Sequence, residues 1–173
     1  FVTCASGSAA GLRRMAIGSS DTLTKIIDGK WHHYAFTFLS SSTSITSQLY
    51  VDGELDATVS RSGTANTIDE VTGSGMIATL GALQTGVEVY SHIDIGLGSA
   101  KLSASLDEFR YWKTARTAQD IGRNWWTQVR GGTNTDDANT DLGVYFKFNE
   151  GITGDSTTDS TVLDYSGRIS NGA

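Results

Sequence analysis

"SQLYVDGELDATVS", residues 47–60, decides what kind of chain this is. Leu49 and Val51 alternate with polar neighbours before an Asp52-Gly53 pair, and Leu55, Ala57 and Val59 alternate after it. Apolar residues spaced by two mark one face of a strand. Asp-Gly supplies the positive φ angles of a type I′ turn, whose twist suits the strands it joins. The stretch predicts a β-hairpin with Leu49, Val51, Leu55, Ala57 and Val59 on a common face.

The same alternation runs outward from the hairpin. In "DGKWHHYAFTF", residues 28–38, His32, Tyr34, Phe36 and Phe38 share one face, and Trp31, His33, Ala35 and Thr37 share the other. "MIATLGA" (76–82), "VYSHIDIGLG" (89–98), "SLDEFRYW" (105–112) and "LGVYFKFN" (142–149) continue the series. "SSSTSITS" (40–47) and "SGTANTIDEVTGSG" (62–75) are small and polar and read as loops. One helix is predicted over residues 117–129. Thr117 caps it with Asp120 three residues on, Ile121, Trp125 and Val129 bury together at spacings of four, and Gly131-Gly132 ends it.

Many short strands, glycine-rich turns and one helix predict an all-β sandwich within a single ordinary domain of 173 residues. A net charge of −6 excludes the counterion-release mode of nucleic-acid binding and attraction to an anionic membrane. No apolar run reaches the roughly 18 residues of a membrane span. Cys4 is the sole cysteine, which excludes an internal disulfide and a cysteine-based zinc site.

Read in order, "DGKWHHYAFTF", "LYVDGELDA", "IGLG" and "LDEFRYWKTARTAQDI" resemble the laminin G-like domain of the concanavalin A-like lectin/glucanase superfamily, over roughly residues 28–126. The resemblance implies a jelly-roll sandwich of two antiparallel sheets with one short helix near residues 117–129. It also implies binding to carbohydrate or protein, often with a structural calcium ion. Residues 1–130 are expected to form the sandwich and 131–141 a polar connector. "LGVYFKFNEG" and "LDYSGRISNGA", within 142–173, resemble the strand and loop that open such a domain. They are expected either to close this sandwich or to begin a second copy. Phe1 opens a strand already under way, so the expectation is a piece of a longer extracellular or virion-surface protein. Similar arrays occur in bacteriophage structural proteins, with tandem repeats or homo-oligomers among the arrangements implied.

Site residues follow from strand geometry. Neighbouring side chains on a strand point apart, so His32 and His33 do not share one ion. His32 lies with three aromatics and is expected in the core, neutral and hydrogen-bonded. His33 lies with Trp31 on the outer face, where it is the ligand-facing histidine. His92 reads as an ordinary strand or loop histidine. Asp107 shares a face with Phe109 and Tyr111 and is expected to be buried, while Glu108 and Arg110 form an outward ion pair.

For calcium, Asp164, Ser166 and Asn171 in the glycine-containing loop supply oxygens, and the resemblance brings Asp107 or Glu108 near them. The metal set is thus Asp107, Asp164 and Asn171, with the cation of Arg168 standing against it. Glu88 and Asp94 are about 20 Å apart along a strand, too far for a glycosidase pair. No nucleophile elbow or phosphate loop is present, so the domain is expected to be noncatalytic. Sugar binding uses exposed aromatics as stacking platforms. Trp126 falls off the helix's buried stripe, Trp112 is a further candidate, and Trp126, Trp31 and His33 form the expected ligand set. The partners implied are a glycan or neighbouring protein chains, and the alternative function is assembly or decoration with no small ligand.

Overall fold

The hairpin is formed by β4 (Ser44–Val51) and β5 (Glu54–Ser62). Asp52 and Gly53 between them have φ of 51° and 85°, the two left-handed residues of a type I′ turn. The computed structural model describes residues 2–6, 9–63, 80, 102–129, 141–151, 154 and 161–166, with side chains from residue 16 onward. The chain divides into two units, Phe1–Glu70 with Glu108–Ala173, and Val71–Asp107. Every strand and helix described here belongs to the first. The described residues of the second, 80 and 102–107, carry neither.

One residue of β5 is supernumerary. Tyr50 pairs with Leu55 but Leu49 pairs with Ala57, so Asp56 bulges between them. This corrects the predicted face. Leu55 lies opposite Tyr50 and is 52% exposed, so it does not join Leu49 and Val51. Strict pairing after a two-residue turn would set Ala57 opposite Gln48. The extra residue instead returns Ala57 and Val59 to the side of Leu49 and Ser47.

β3 (Tyr34–Ser40) pairs antiparallel with the other edge of β4, giving the order β3-β4-β5. Flanked on both sides, β4 is the core strand. Ile45, Leu49, Tyr50 and Val51 are each at most 2% exposed, and burying each side chain contributes about 1.5–3 kcal/mol. The strand begins at Ser44, inside a stretch that composition alone reads as loop. Tyr34, Phe36 and Phe38 pair with Val51, Leu49 and Ser47, and so share the predicted face, but on their outer strand they keep 37%, 44% and 40% exposure.

β1 (Val2–Ser6) and β2 (Ala9–Met15) form a second antiparallel pair. β6 (Phe109–Trp112) and β7 (Leu142–Phe146) form a third, in which Phe109 stacks on its partner Phe146 at 5.9 Å. Leu142 and Tyr145 of β7 are fully buried. Antiparallel strands with two short helices make the described protein all-β.

Of the predicted helix, the regular part is α2 (Ala118–Asn124). Thr117 caps it through a reciprocal box with Asp120, as the spacing predicts. Ile121 is buried. Trp125 closes the last turn, and the backbone leaves the helix there, well before Gly131-Gly132.

The other helix, α1 (Ser20–Ile26), is not announced by apolar periodicity, because Leu23 and Ile26 are exposed. It is fixed at its start. The bulged Asp56 accepts hydrogen bonds from the Ser19 N–H at 2.9 Å and from the hydroxyls of Ser19 and Thr22. The bulge thus aims a carboxylate at the positive end of a helix 37 residues away in sequence. Asp56→Ala removes all three acceptor contacts and leaves the hydroxyl of the buried Thr22 without the acceptor for its O–H, though it still accepts the Ser19 N–H. The expected loss is about 1–2 kcal/mol by urea denaturation. Asp56→Asn, which keeps an acceptor, is expected to lose less than half of that.

Candidate functional site

The segment before β3 carries the conspicuous residues, and its hydrogen bonds end on the hairpin turn. Asp52 Oδ1 accepts the His33 N–H at 2.9 Å, and the Asp52 N–H donates to the His33 carbonyl at 2.9 Å. Asp52 Oδ2 meets His32 Nδ1 at 2.8 Å and Lys25 Nζ at 3.6 Å. On the far side of the imidazole, Nε2 lies 3.1 Å from both oxygens of Asp28. Asp28 in turn accepts the Lys30 N–H at 2.9 Å.

His32 is therefore not the neutral core histidine its aromatic row predicts. Its side chain is only 12% exposed, yet it is clasped between two carboxylates. Hydrogen bonding to Asp52 first, and to Asp28 second, lifts its pKa above the ordinary 6.5. Burial works against ionisation of Asp52, but the His32 and His33 hydrogen bonds and Lys25 outweigh it and hold that carboxyl below its usual value. The Lys30 N–H, ahead of His32, lowers Asp28.

His33 has the opposite surroundings. Its ring packs on the Trp125 indole at 6.2 Å, and its Nδ1 is buried without a hydrogen-bond partner. Burial, and then the charge of Arg110, push its pKa down, so this ring is neutral. The structure thus places the expected ligand-facing histidine partly inside, under Trp125. Trp125 also lies against Gly53, where a Cβ would come within 2.2 Å of its Cδ1.

The tryptophans nearest His33 and Trp125 in sequence are exposed. Trp31, two residues before His33, is 69% exposed, and Trp126, next to Trp125, is 71% exposed. Trp112 is partly covered by the Arg116 guanidinium at 4.4 Å from its ring centre. An indole face open to water is a platform for the apolar face of a sugar ring.

The acidic strand departs further from expectation. Glu108 has φ of 54°, which breaks the alternation, and β6 starts after it. Asp107, in the second unit, is exposed, and Tyr111 is 41% exposed. Arg110 is the inward residue, its side chain 12% exposed. It donates to Glu108 at 3.1 Å and to the Thr127 carbonyl, and lies over the Tyr145 ring at 5.5 Å. Glu108 also accepts from the Tyr145 hydroxyl and from Gln128 at 3.3 Å. Burial, reinforced by Glu108, pushes the Tyr145 phenol up to about 12. Strand alternation misses this cluster because a single left-handed residue inverts which side chains face in.

The described donors do not by themselves fit calcium. Asp164 Oδ1 accepts N–H groups from Tyr145 and Ser166, both at 2.9 Å, and Oδ2 accepts the Ser166 hydroxyl at 2.9 Å. That carboxylate fastens residues 161–166 to β7, where Tyr165 also donates its N–H to the Tyr145 carbonyl. Calcium asks for six to eight oxygens. Among the described residues no group of three His, Cys, Asp or Glu side chains gathers to hold a metal ion. Asn171, His92, Glu88 and Asp94 lie outside the described residues. Also among the described residues, no helix is long and apolar enough to cross a membrane.

A family model of laminin G type, described as the concanavalin A-like lectin/glucanases superfamily, matches residues 15–122. No curated protein and no solved structure matches the chain.

Proposed function

This chain belongs to the laminin G-like family of the concanavalin A-like lectin/glucanase superfamily, and from that membership we propose that it is a noncatalytic carbohydrate-binding module of a larger extracellular or virion-surface protein. Membership supports a carbohydrate-binding or adhesion-type domain, and domains of this kind are generally noncatalytic lectin-type modules. The observation that carries the reading is two open indoles, Trp31 and Trp126, each within two residues of one partner of the packed His33–Trp125 contact. Each offers a stacking face, and the His33–Trp125–Gly53 packing supports the backbone from which each projects. His33 serves the site from beneath.

A glycan array on the intact chain tests this. Binding to a defined subset of glycans is expected, and Trp126→Ala or Trp31→Ala should weaken it roughly tenfold, the scale of losing an aromatic anchor. Both side chains are largely exposed, so the thermal midpoint should barely move. An unchanged array profile in both variants would overturn the assignment. The second reading is a structural, assembly or decoration domain without a small ligand. The half-exposed row Tyr34, Phe36 and Phe38 speaks for it. A flat array response together with concentration-dependent self-association would select that reading.

A further inference from the structure

We propose that protonated His32 is a latch that fastens the Trp31-bearing loop to the β4–β5 hairpin turn, and that deprotonation releases the loop. The inference concerns regulation of the site just described, and its effect on glycan binding rests on that reading.

The geometry carries the argument. Both ring nitrogens of His32 point at carboxylates, Nδ1 at Asp52 and Nε2 at Asp28. Only imidazolium carries N–H on both nitrogens. A neutral ring donates on one side and turns a lone pair toward carboxylate oxygens on the other. One contact must then open.

The surroundings decide which. Asp52 is held independently by the His33 N–H at 2.9 Å, by Lys25 at 3.6 Å, and by its own N–H to the His33 carbonyl. Asp28 sits in an exposed loop, and apart from the ring its hydrogen bond runs to Lys30, within that same loop. The Asp28 side therefore opens. Trp31 lies between Asp28 and His32 in sequence, and at 69% exposure has little packing of its own to hold it.

The groups facing the imidazole are Asp28 of the loop, Asp52 of the turn and Tyr34 of β3, whose ring meets it edge-on at 6.5 Å, while Lys25 of α1 acts on Asp52 and Lys30 of the loop on Asp28. A histidine whose folded value is raised contributes stability fully below its unfolded value of 6.5, and loses it as pH rises through the folded value. Asp28 and Asp52, both lowered, contribute above their unfolded value of 3.8 and lose it as pH falls through their folded values. The latch is complete between those limits and opens on the alkaline side.

Nuclear magnetic resonance of the full chain, from about pH 5 to about pH 9, tests this across the range where histidine titrates. The His32 ring should titrate above 6.5, and the amides of residues 28–31 should shift with the same midpoint. In Asp28→Asn the His32 midpoint should fall and the loop amides should stop following it. In His32→Gln the step should vanish from those amides. A His32 midpoint at or below 6.5, or loop amides indifferent to it, would overturn the latch. Glycan affinity measured alongside should decline with the latched fraction as pH rises. Amides that follow His32 in a chain binding no glycan at any pH would uphold the latch and sink only the sugar reading.

Discussion

Gly53→Ala is expected to destabilise the domain by about 3 kcal/mol, more than the conformational cost of the turn accounts for. At φ 85° an L-residue is strained, which costs about 1–2 kcal/mol. The remainder comes from Trp125. The new Cβ would lie 2.2 Å from its Cδ1 and 2.7 Å from its Nε1, so the indole must move. Its contact with His33 goes with it. Gly29→Ala is the matched control, because Gly29 has φ 75° with nothing within 4 Å of its Cβ direction. It should cost about 1 kcal/mol. Urea denaturation of the two variants separates strain from packing. Equal losses would mean that Trp125 does not rest on the turn, and the support proposed for the Trp126 platform would fail with it.

Arg110→Ala is expected to cost about 3 kcal/mol, although the sequence suggests an outward ion pair of little consequence. Exposed pairs contribute about 0–1 kcal/mol. Here the guanidinium is 12% exposed and joins Glu108, the Thr127 carbonyl and the Tyr145 ring. Truncation leaves a half-buried carboxylate and a carbonyl without their strongest donor, the situation in which removing one partner costs several kcal/mol. Arg110→Lys should recover less than half, since a more strongly hydrated ammonium replaces the planar guanidinium that lies over the Tyr145 ring while its Nη2 bonds both Glu108 and Thr127. Thermal unfolding of both variants checks the order. A loss below about 1 kcal/mol in Arg110→Ala would return the residue to the ordinary class of surface pairs.

Adjacent histidines show how far a sequence reading extends. Alternation correctly sends His32 and His33 to different surroundings. It assigns the surroundings in reverse, because it judges each side chain by neighbours on its own strand. The partners that matter come from elsewhere: Asp52 from the next hairpin, Asp28 from the loop, and Trp125 from the end of a helix about ninety residues on. Nothing in the spacing of "WHH" announces them. Trp126 is legible as an outward residue from the helix stripe, and Trp31 from its place on the strand face opposite His32 and the aromatic row.

Local chemistry sufficed for the type I′ turn at Asp52-Gly53, the Thr117–Asp120 cap, the strand periodicity and the family. Each depends on backbone preferences acting within a few residues. Tertiary structure alone decided the Asp56 bulge and the helix it anchors, the inward turn of Arg110 after Glu108, and the two carboxylates around His32. Those features arise where one extra or left-handed residue reverses a face, or where groups far apart in sequence meet. A period of two cannot encode either event.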